Sequence, residues 1–100
     1  MPGKFEVFIT KRAEEDVEEI WDYISQDSDT AADKFIGELL GQVTKLESQP
    51  KSFPLIEENE ALGVDCYYHL VYKNYRTIYR VQGGDVYIVR VIHGSRLLSL

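Results

Sequence analysis

The sequence is poor in several features, and each shortage excludes a class of protein. Its 100 residues include a single cysteine, Cys66, so an internal disulfide framework is excluded. No apolar run approaches the roughly 20 residues that a membrane-spanning helix needs. The opening MPGKFEVFIT lacks the basic and apolar regions of a secretory signal. We therefore expect one cytoplasmic domain over residues 1–100, without membrane contact, and we predict neither a metal nor a cofactor.

Positive charge is scarce in most of the chain. The formal net charge is −6. Residues 1–65 contain 6 Lys and Arg against 16 Asp and Glu, whereas residues 66–100 contain 5 against 1. Four of the five arginines lie within residues 74–96. Such asymmetry is typical of a basic binding face on an acidic body, although arginines can also simply protect a sheet edge from pairing.

The apolar pattern of the first half predicts a strand and two helices. KFEVFIT, residues 4–10, alternates as a strand does, and Thr10 is suited to cap the next helix. The stripe of that amphipathic helix is Ala13, Val17, Ile20, Trp21 and Ile24. The TAAD run at residues 30–33 resembles a capping box that begins a second helix, which Pro50 and Pro54 end. Its stripe is Ala32, Phe35, Ile36, Leu39, Leu40, Val43 and Leu46. The short link between the helices predicts an antiparallel hairpin.

Three strand-like runs follow an acidic loop over residues 51–65. They are CYYHLVY, YRTIYRV and DVYIVRVI, at residues 66–72, 75–81 and 85–92. Short glycine- or asparagine-bearing links between them are typical of hairpins. The predicted fold is therefore α+β, in the order β-α-α-β-β-β, with an antiparallel sheet and the helical hairpin packed on one face. We expect the first strand to add to the same sheet.

Alternation along the strands predicts where the arginines lie. The side without charge in the 75–81 run is expected to pack on the hairpin and consists of Tyr75, Thr77, Tyr79 and Val81. The opposite side carries Arg76, Ile78 and Arg80, and the corresponding side of the last run carries Ile88, Arg90 and Ile92. We call this side the arginine face and predict that it is open to a partner. In the alternative, its arginines pair with loop acids, of which the candidates are Glu57, Glu58 and Glu60.

Several of these motifs occur together in one known family. EEIWDYI at residues 18–24, YRTIYRV in the central strand and VYIVRVIHGSR at residues 86–96 follow one another in the predicted order of elements. In that order and at this length, nearly the whole chain resembles the ParE/RelE superfamily of toxins from bacterial type II toxin–antitoxin systems. The IWDYI helix and the HGSR ending are more similar to the ParE branch.

This resemblance implies two different activities. ParE-like members are toxins that act on DNA gyrase, whereas RelE-like members are ribosome-dependent ribonucleases that cut messenger RNA. We predict a ParE-like toxin of a plasmid-stabilisation type that poisons gyrase, has no catalytic site of its own and is neutralised by a cognate antitoxin. The alternatives are a RelE-like ribonuclease that acts on the ribosome and its mRNA, and a degenerate member that binds its antitoxin but poisons nothing. The complex with the antitoxin could be a heterotetramer, and the toxin alone a homodimer.

The ribonuclease alternative implies specific residues. RNA cleavage through the 2′-hydroxyl needs an acid–base pair and cations for the crowded phosphate. The resemblance assigns the cations to Arg76 and Arg96, and His93 is the remaining acid–base candidate. The family's lysine pair on the first of the three strands is replaced here by Tyr68 and Leu70. We also expect no counterpart of the family's terminal helix with its tyrosine.

The leading hypothesis instead assigns contact roles to positive side chains. We predict that target or antitoxin is contacted by Lys73, Arg76, Arg80, Arg90 and Arg96. The antitoxin is expected to bury apolar residues in the seam between the hairpin and the sheet. Leu97, Leu98 and Leu100 form a short apolar tail that so small a body has little room to bury. We expect this tail to belong to the toxic surface and to be dispensable for folding.

Overall fold

A computed structural model of the chain describes residues 4–98. Within that range the helices and strands follow the predicted order, with one short helix added before the second strand. Their bounds are β1 Glu6–Ile9, α1 Lys11–Ser25, α2 Asp29–Val43, a 3-10 helix Thr44–Glu47, α3 Glu58–Leu62, β2 Tyr67–Tyr72, β3 Tyr75–Gln82 and β4 Asp85–His93. None of the helices in this part of the chain is long and apolar enough to cross a membrane.

The start of α1 is fixed by the side chain predicted to cap it. The Oγ1 of Thr10 accepts a hydrogen bond from the Ala13 amide at 3.3 Å, which satisfies one of the free donors of the first turn. The same hydroxyl donates to the carbonyl of Ile88 at 2.7 Å. Thr10 therefore caps the helix and also fastens its first turn to β4.

The start of α2 differs from the prediction by two residues. Ser28, not Thr30, is the cap, because its extended backbone at φ −164° lets its side chain accept from the Ala31 amide at 3.1 Å. The predicted apolar stripe is confirmed in its core positions, where Ala32, Leu39 and Leu46 are buried. The last of these belongs to the 3-10 helix that ends this segment before Pro50.

The sheet has the order β1-β4-β3-β2. β2, β3 and β4 form the predicted antiparallel meander, whose turns place Lys73 at φ 52° and Gly83 at φ 60°. β1 joins the same sheet, as predicted, but runs parallel to β4, with Glu6 beside Asp85. The α+β fold with a helical hairpin on one face is thus confirmed. The sheet is mixed and not antiparallel throughout, because the hairpin returns the chain across the sheet before β2 begins and leaves β1 parallel to β4.

The main core lies between the hairpin and the sheet. Its buried members are Ala13, Ile20, Leu39, Leu46, Leu70, Tyr79, Val86, Ile88 and Val91. The predicted packing of Tyr79 against the helices is confirmed, since its ring is fully buried and its hydroxyl donates to the Pro50 carbonyl at 2.5 Å. Aromatic packing continues along the sheet, where the rings of Tyr68 and Tyr79 stack with centroids 5.5 Å apart.

A second apolar cluster covers the other face, so the prediction of an open arginine face is wrong. We call it the minor cluster; it consists of Ile56, Ile78, Ile92 and Leu98, with Leu62, Tyr67 and Val89 packed against them. The loop before β2 and the C-terminal tail supply its outer layer. Burying Leu98 also contradicts the expected lack of room for the tail, although Leu97 remains 78% exposed. Leu100 lies outside the described residues.

A register shift explains why alternation failed on β4. Ile78 pairs with Arg90, but its neighbour Tyr79 pairs with Ile88, so Val89 has no partner on β3. Such a bulge places two residues opposite one and changes which side chains face each side of the sheet. Ile88 consequently joins the main core beneath the hairpin instead of the side on which it was predicted.

Candidate functional site

Two of the predicted contact arginines are buried in ion pairs. Arg90 is 6% exposed and faces Asp16 of α1. Its Nε donates to one carboxylate oxygen at 2.7 Å and its NH2 group donates to the other at 3.1 Å. The Val91 amide also donates to Asp16, at 2.9 Å. This carboxylate holds the pKa of Arg90 above its ordinary value and joins α1 to β4.

Arg76 is the centre of a second buried network, which fulfils the alternative prediction that it pairs with a loop acid. Its NH2 and NH1 groups donate to the two oxygens of Glu58, at 2.5 and 3.3 Å. NH2 also donates to the carbonyl of Arg96 at 2.9 Å, and Glu58 accepts from the Leu98 amide at 2.9 Å. One ion pair therefore fastens both α3 and the tail to the sheet.

Hydrogen bonding sets the charge of Glu58. The Arg76 guanidinium lowers the pKa of this carboxyl from 4.5 to about 2, against the opposing effect of burial and with help from the Leu98 amide. Glu58 is consequently ionised throughout the physiological range, and Arg76 always has a counter-ion.

His69 of β2 is a third member of this network. Its Nδ1 lies 3.3 Å from Arg76 NH1. Because a guanidinium can only donate, Nδ1 must accept, which makes the ring neutral with its proton on Nε2. Burial first and the Arg76 charge second lower the pKa of His69 below its ordinary 6.5. Sequence reasoning did not connect His69 to Arg76.

Arg80 and Lys73 lie at the surface but are also occupied. Arg80 donates to the Gln82 side chain at 2.6 Å and its guanidinium lies 4.6 Å from the centre of the Tyr87 ring. Lys73 lies 3.7 Å from Glu38. The structure thus separates the five predicted contact residues instead of gathering them on one face.

Arg96 is positioned by a tight turn after β4. The Gly94 amide donates to the Asn74 carbonyl at 2.7 Å, and the Arg96 amide donates to the His93 carbonyl at 2.9 Å. His93 contacts Ser95 through Nδ1 and the hydroxyl, 2.7 Å apart. Among residues 4–98, no carboxylate lies within ion-pair distance of the exposed Arg96 guanidinium.

A cleft of about 350 Å³ opens beside the tail, and we call it the tail cleft. It is lined by Leu55, Glu57, Glu58, His69, Arg76, Gly94, Arg96 and Leu97. Two exposed aliphatic side chains line it, with Leu55 52% and Leu97 78% exposed. The tail cleft thus combines an apolar rim with one accessible cation.

A smaller pocket of about 170 Å³, the end pocket, lies between α1 and the end of β4. Its lining includes His93 and Arg96 together with the acids Asp16 and Glu19. Arg96 therefore lies between the two cavities, while Arg76 lines only the tail cleft and His93 only the end pocket. The structure does not gather the three residues of the ribonuclease alternative around one cavity.

A third depression marks the predicted seam between hairpin and sheet, and we call it the seam groove. It measures about 230 Å³ and is lined by Ile9, Glu14, Val17, Glu18 and Leu40. Ile9 belongs to β1, an edge strand of the sheet, and it and Leu40 are large apolar side chains left exposed. Exposed apolar side chains beside a sheet edge are typical of a protein-binding site.

Comparison with known proteins agrees with this architecture. No curated protein matches the sequence. The chain is similar in structure to a chain of the chromosomal ParDE toxin–antitoxin system from P. aeruginosa, with a TM-score of 0.75, 20% identity and coverage of 89% of this chain and 95% of that one. It is also similar to a chain of the toxin–antitoxin complex RelBE2 from Mycobacterium tuberculosis, with a TM-score of 0.65, 19% identity and coverage of 90% and 98%.

At these identities the structural likeness establishes a shared fold. The sequence itself matches a family model, that of the ParE toxin of the type II toxin–antitoxin system parDE, over residues 7–98. Because this match extends across almost every described element, the chain belongs to the ParE toxin family of type II toxin–antitoxin systems.

Proposed function

We propose that this ParE-family toxin binds and poisons DNA gyrase, without cutting RNA, and that a cognate antitoxin neutralises it. The observation that carries the proposal is the buried Arg76–Glu58 pair, with side chains only 9% and 8% exposed. A phosphate-binding arginine must present its fork to the substrate. Here the fork of Arg76 is already filled by a carboxylate whose pKa keeps it ionised.

The remaining candidates give little support to phosphate chemistry. His93 and Arg96 share the end pocket with Glu19, whose carboxylate opposes the approach of a phosphate, and with Asp16, whose charge is neutralised by Arg90. His93 itself contacts Ser95, which can orient the ring without any substrate. A structural role for His93 at the end of the sheet accounts for these contacts.

The charge of the hairpin also favours a protein target over the ribosome. Residues 11–38 contain 10 Asp and Glu against 3 Lys and Arg, so this segment alone carries −7 of a chain whose net charge is −6. A negative field slows association with a ribosome, which is a polyanion. The same field favours approach to basic surfaces, such as those of proteins that bind DNA.

Expression of the chain alone is expected to slow bacterial growth with DNA damage and filamentation while messenger RNA stays intact. Purified toxin should inhibit supercoiling by gyrase in a plasmid assay, and co-expression of the antitoxin should restore growth. A parallel assay with translating ribosomes provides the comparison. Transcript cleavage there, with normal gyrase activity, would contradict the proposal and support the ribonuclease alternative. Normal growth in the presence of folded toxin would support a degenerate member.

The antitoxin is expected to use the seam groove. Leu40→Asp introduces a charge at an apolar position that is 38% exposed, so its main cost falls on the complex and not on the fold. We expect the affinity for the antitoxin to fall about tenfold or more, measured by titration calorimetry.

Val64→Asp is the matched control for this variant. Val64 is 41% exposed and follows α3, away from the residues that line the seam groove. Its substitution should leave the affinity within about twofold. Equal losses for both variants, or none for Leu40→Asp, would remove the seam groove from the antitoxin's footprint.

A further inference from the structure

We propose that the tail cleft binds a linear segment of the antitoxin in which a carboxylate is flanked by aliphatic side chains, and that Arg96 pairs with this carboxylate. This inference rests on one part of the proposed function, namely that a cognate antitoxin binds this toxin. It adds a second contact region, at the opposite side of the sheet from the hairpin, and assigns its chemistry.

The charge distribution singles out Arg96. The arginines of β3 and β4 all have polar side-chain partners, and Arg12 lies 3.7 Å from Glu15. Among residues 4–98, only the guanidinium of Arg96 has no carboxylate or amide side chain to bind. An exposed guanidinium is a strong and geometrically selective receptor for a carboxylate, because two parallel hydrogen bonds form at once.

The backbone beneath this guanidinium is already fixed. The Arg96 carbonyl accepts from the buried Arg76 side chain and its amide donates to the His93 carbonyl. Binding a partner therefore orders only the side chain of Arg96. The conformational entropy lost on binding is small, which favours affinity. In this arrangement the Arg76–Glu58 pair acts as the support that holds Arg96 at the cleft.

The surroundings of the cleft define the rest of the ligand. Leu55 and Leu97 line the cleft, are aliphatic and are mostly exposed, so a ligand that covers them gains from burying apolar area. A cavity of about 350 Å³ accommodates a few side chains and is better suited to a linear segment than to a folded surface. The expected segment thus carries aliphatic side chains on either side of its acid.

The same lining excludes a strongly anionic ligand. Glu57 is exposed at the cleft and the Arg76 charge is already neutralised by Glu58, so a nucleic acid or other polyanion would meet the repulsion of Glu57 with only Arg96 to bind it. A ligand with a single carboxylate brings only one negative charge to the cleft, and that charge pairs with Arg96.

The test uses overlapping fluorescent peptides that cover the cognate antitoxin, titrated with the full-length toxin by fluorescence polarisation. One peptide that contains an acid between aliphatic residues should bind. Arg96→Glu should weaken its binding about tenfold or more, whereas Arg12→Glu, the same change at another exposed arginine, should leave it within about twofold. Replacing the peptide's acid by lysine should restore binding to Arg96→Glu, because the charges are then exchanged.

Two results would overturn the inference. One is equal binding of every antitoxin peptide to wild-type toxin and Arg96→Glu. The other is an Arg96→Glu toxin that binds the whole antitoxin normally but no longer inhibits gyrase, which would assign the cleft to the target and leave the proposed function intact. Conversely, successful charge exchange with a toxin that has no effect on gyrase would support the cleft assignment and contradict the proposed target.

Discussion

Asp16→Ala is expected to lower the free energy of unfolding by about 3–5 kcal/mol, because it leaves a buried arginine without its counter-ion. Arg90 is 6% exposed, and its guanidinium donates both of its described hydrogen bonds to Asp16. The Val91 amide loses its acceptor at the same time. Since domains of this size are stable by about 5–15 kcal/mol, much of the protein should unfold at moderate urea concentration, as followed by circular dichroism.

Two comparisons separate the charge from the packing. Glu15→Ala, next to Asp16 but with a side chain 49% exposed, should change stability by no more than about 0.5 kcal/mol. Asp16→Leu combined with Arg90→Leu should recover part of the loss, because replacing both partners leaves no uncompensated charge. A loss below about 1 kcal/mol for Asp16→Ala would mean that water reaches Arg90 and that the pair does not hold α1 to β4.

The arginines near the end of the chain mainly stabilise the fold, and they contribute less to binding a partner. Arg76 and Arg90 each bind an acid from another element, and each pair fastens a covering segment to the sheet. Arg80 lies along the Tyr87 ring. Arg96 is the member of the group whose guanidinium has no carboxylate partner among residues 4–98 and remains available for a partner.

Sequence patterns predicted the elements because each has a local cause. Thr10 lies at the start of an apolar stripe, and its capping bond requires only the next three residues. The hairpin turns of the meander need φ values that Lys73 and Gly83 adopt within the turn itself. Local physics of this kind is visible in any short window of sequence.

The site depended on contacts that no short window contains. Glu58 and Arg76 are 18 residues apart, and the bulge at Val89 arises only when β3 and β4 pair. Asp16 was nevertheless identifiable, because it lies three residues after Ala13 and four before Ile20, on the buried side of α1. An acid in that position predicts a buried positive partner, and this signal was missed.

Glu58→Gln is expected to remove stability on the order of 3 kcal/mol at pH 7 and to abolish the part of the fold's acid sensitivity that Glu58 contributes. The carboxyl has a pKa of about 2 in the folded protein against 4.5 without its partners, and each pKa unit corresponds to about 1.4 kcal/mol. Because the folded pKa is depressed, the stabilisation is complete above about pH 4.5 and is lost as the pH falls towards 2. Urea unfolding measured at several pH values should therefore show the wild-type and variant curves converging in this window.

The control and the neighbours of Glu58 sharpen this expectation. Glu57→Gln changes the exposed adjacent acid and should follow the wild-type curve. The charged and titratable groups beside Glu58 are Arg76 from β3, which binds it, and His69 from β2, which contacts Arg76. Because the pKa of His69 is lowered in the folded protein, protonation of His69 destabilises the fold once the pH falls below its ordinary pKa of 6.5. This loss of stability begins at a higher pH than the loss caused by protonation of Glu58. If Glu58→Gln and wild type instead remained separated by a constant amount from pH 7 to 2, the loss would come from packing of the tail and not from the ion pair.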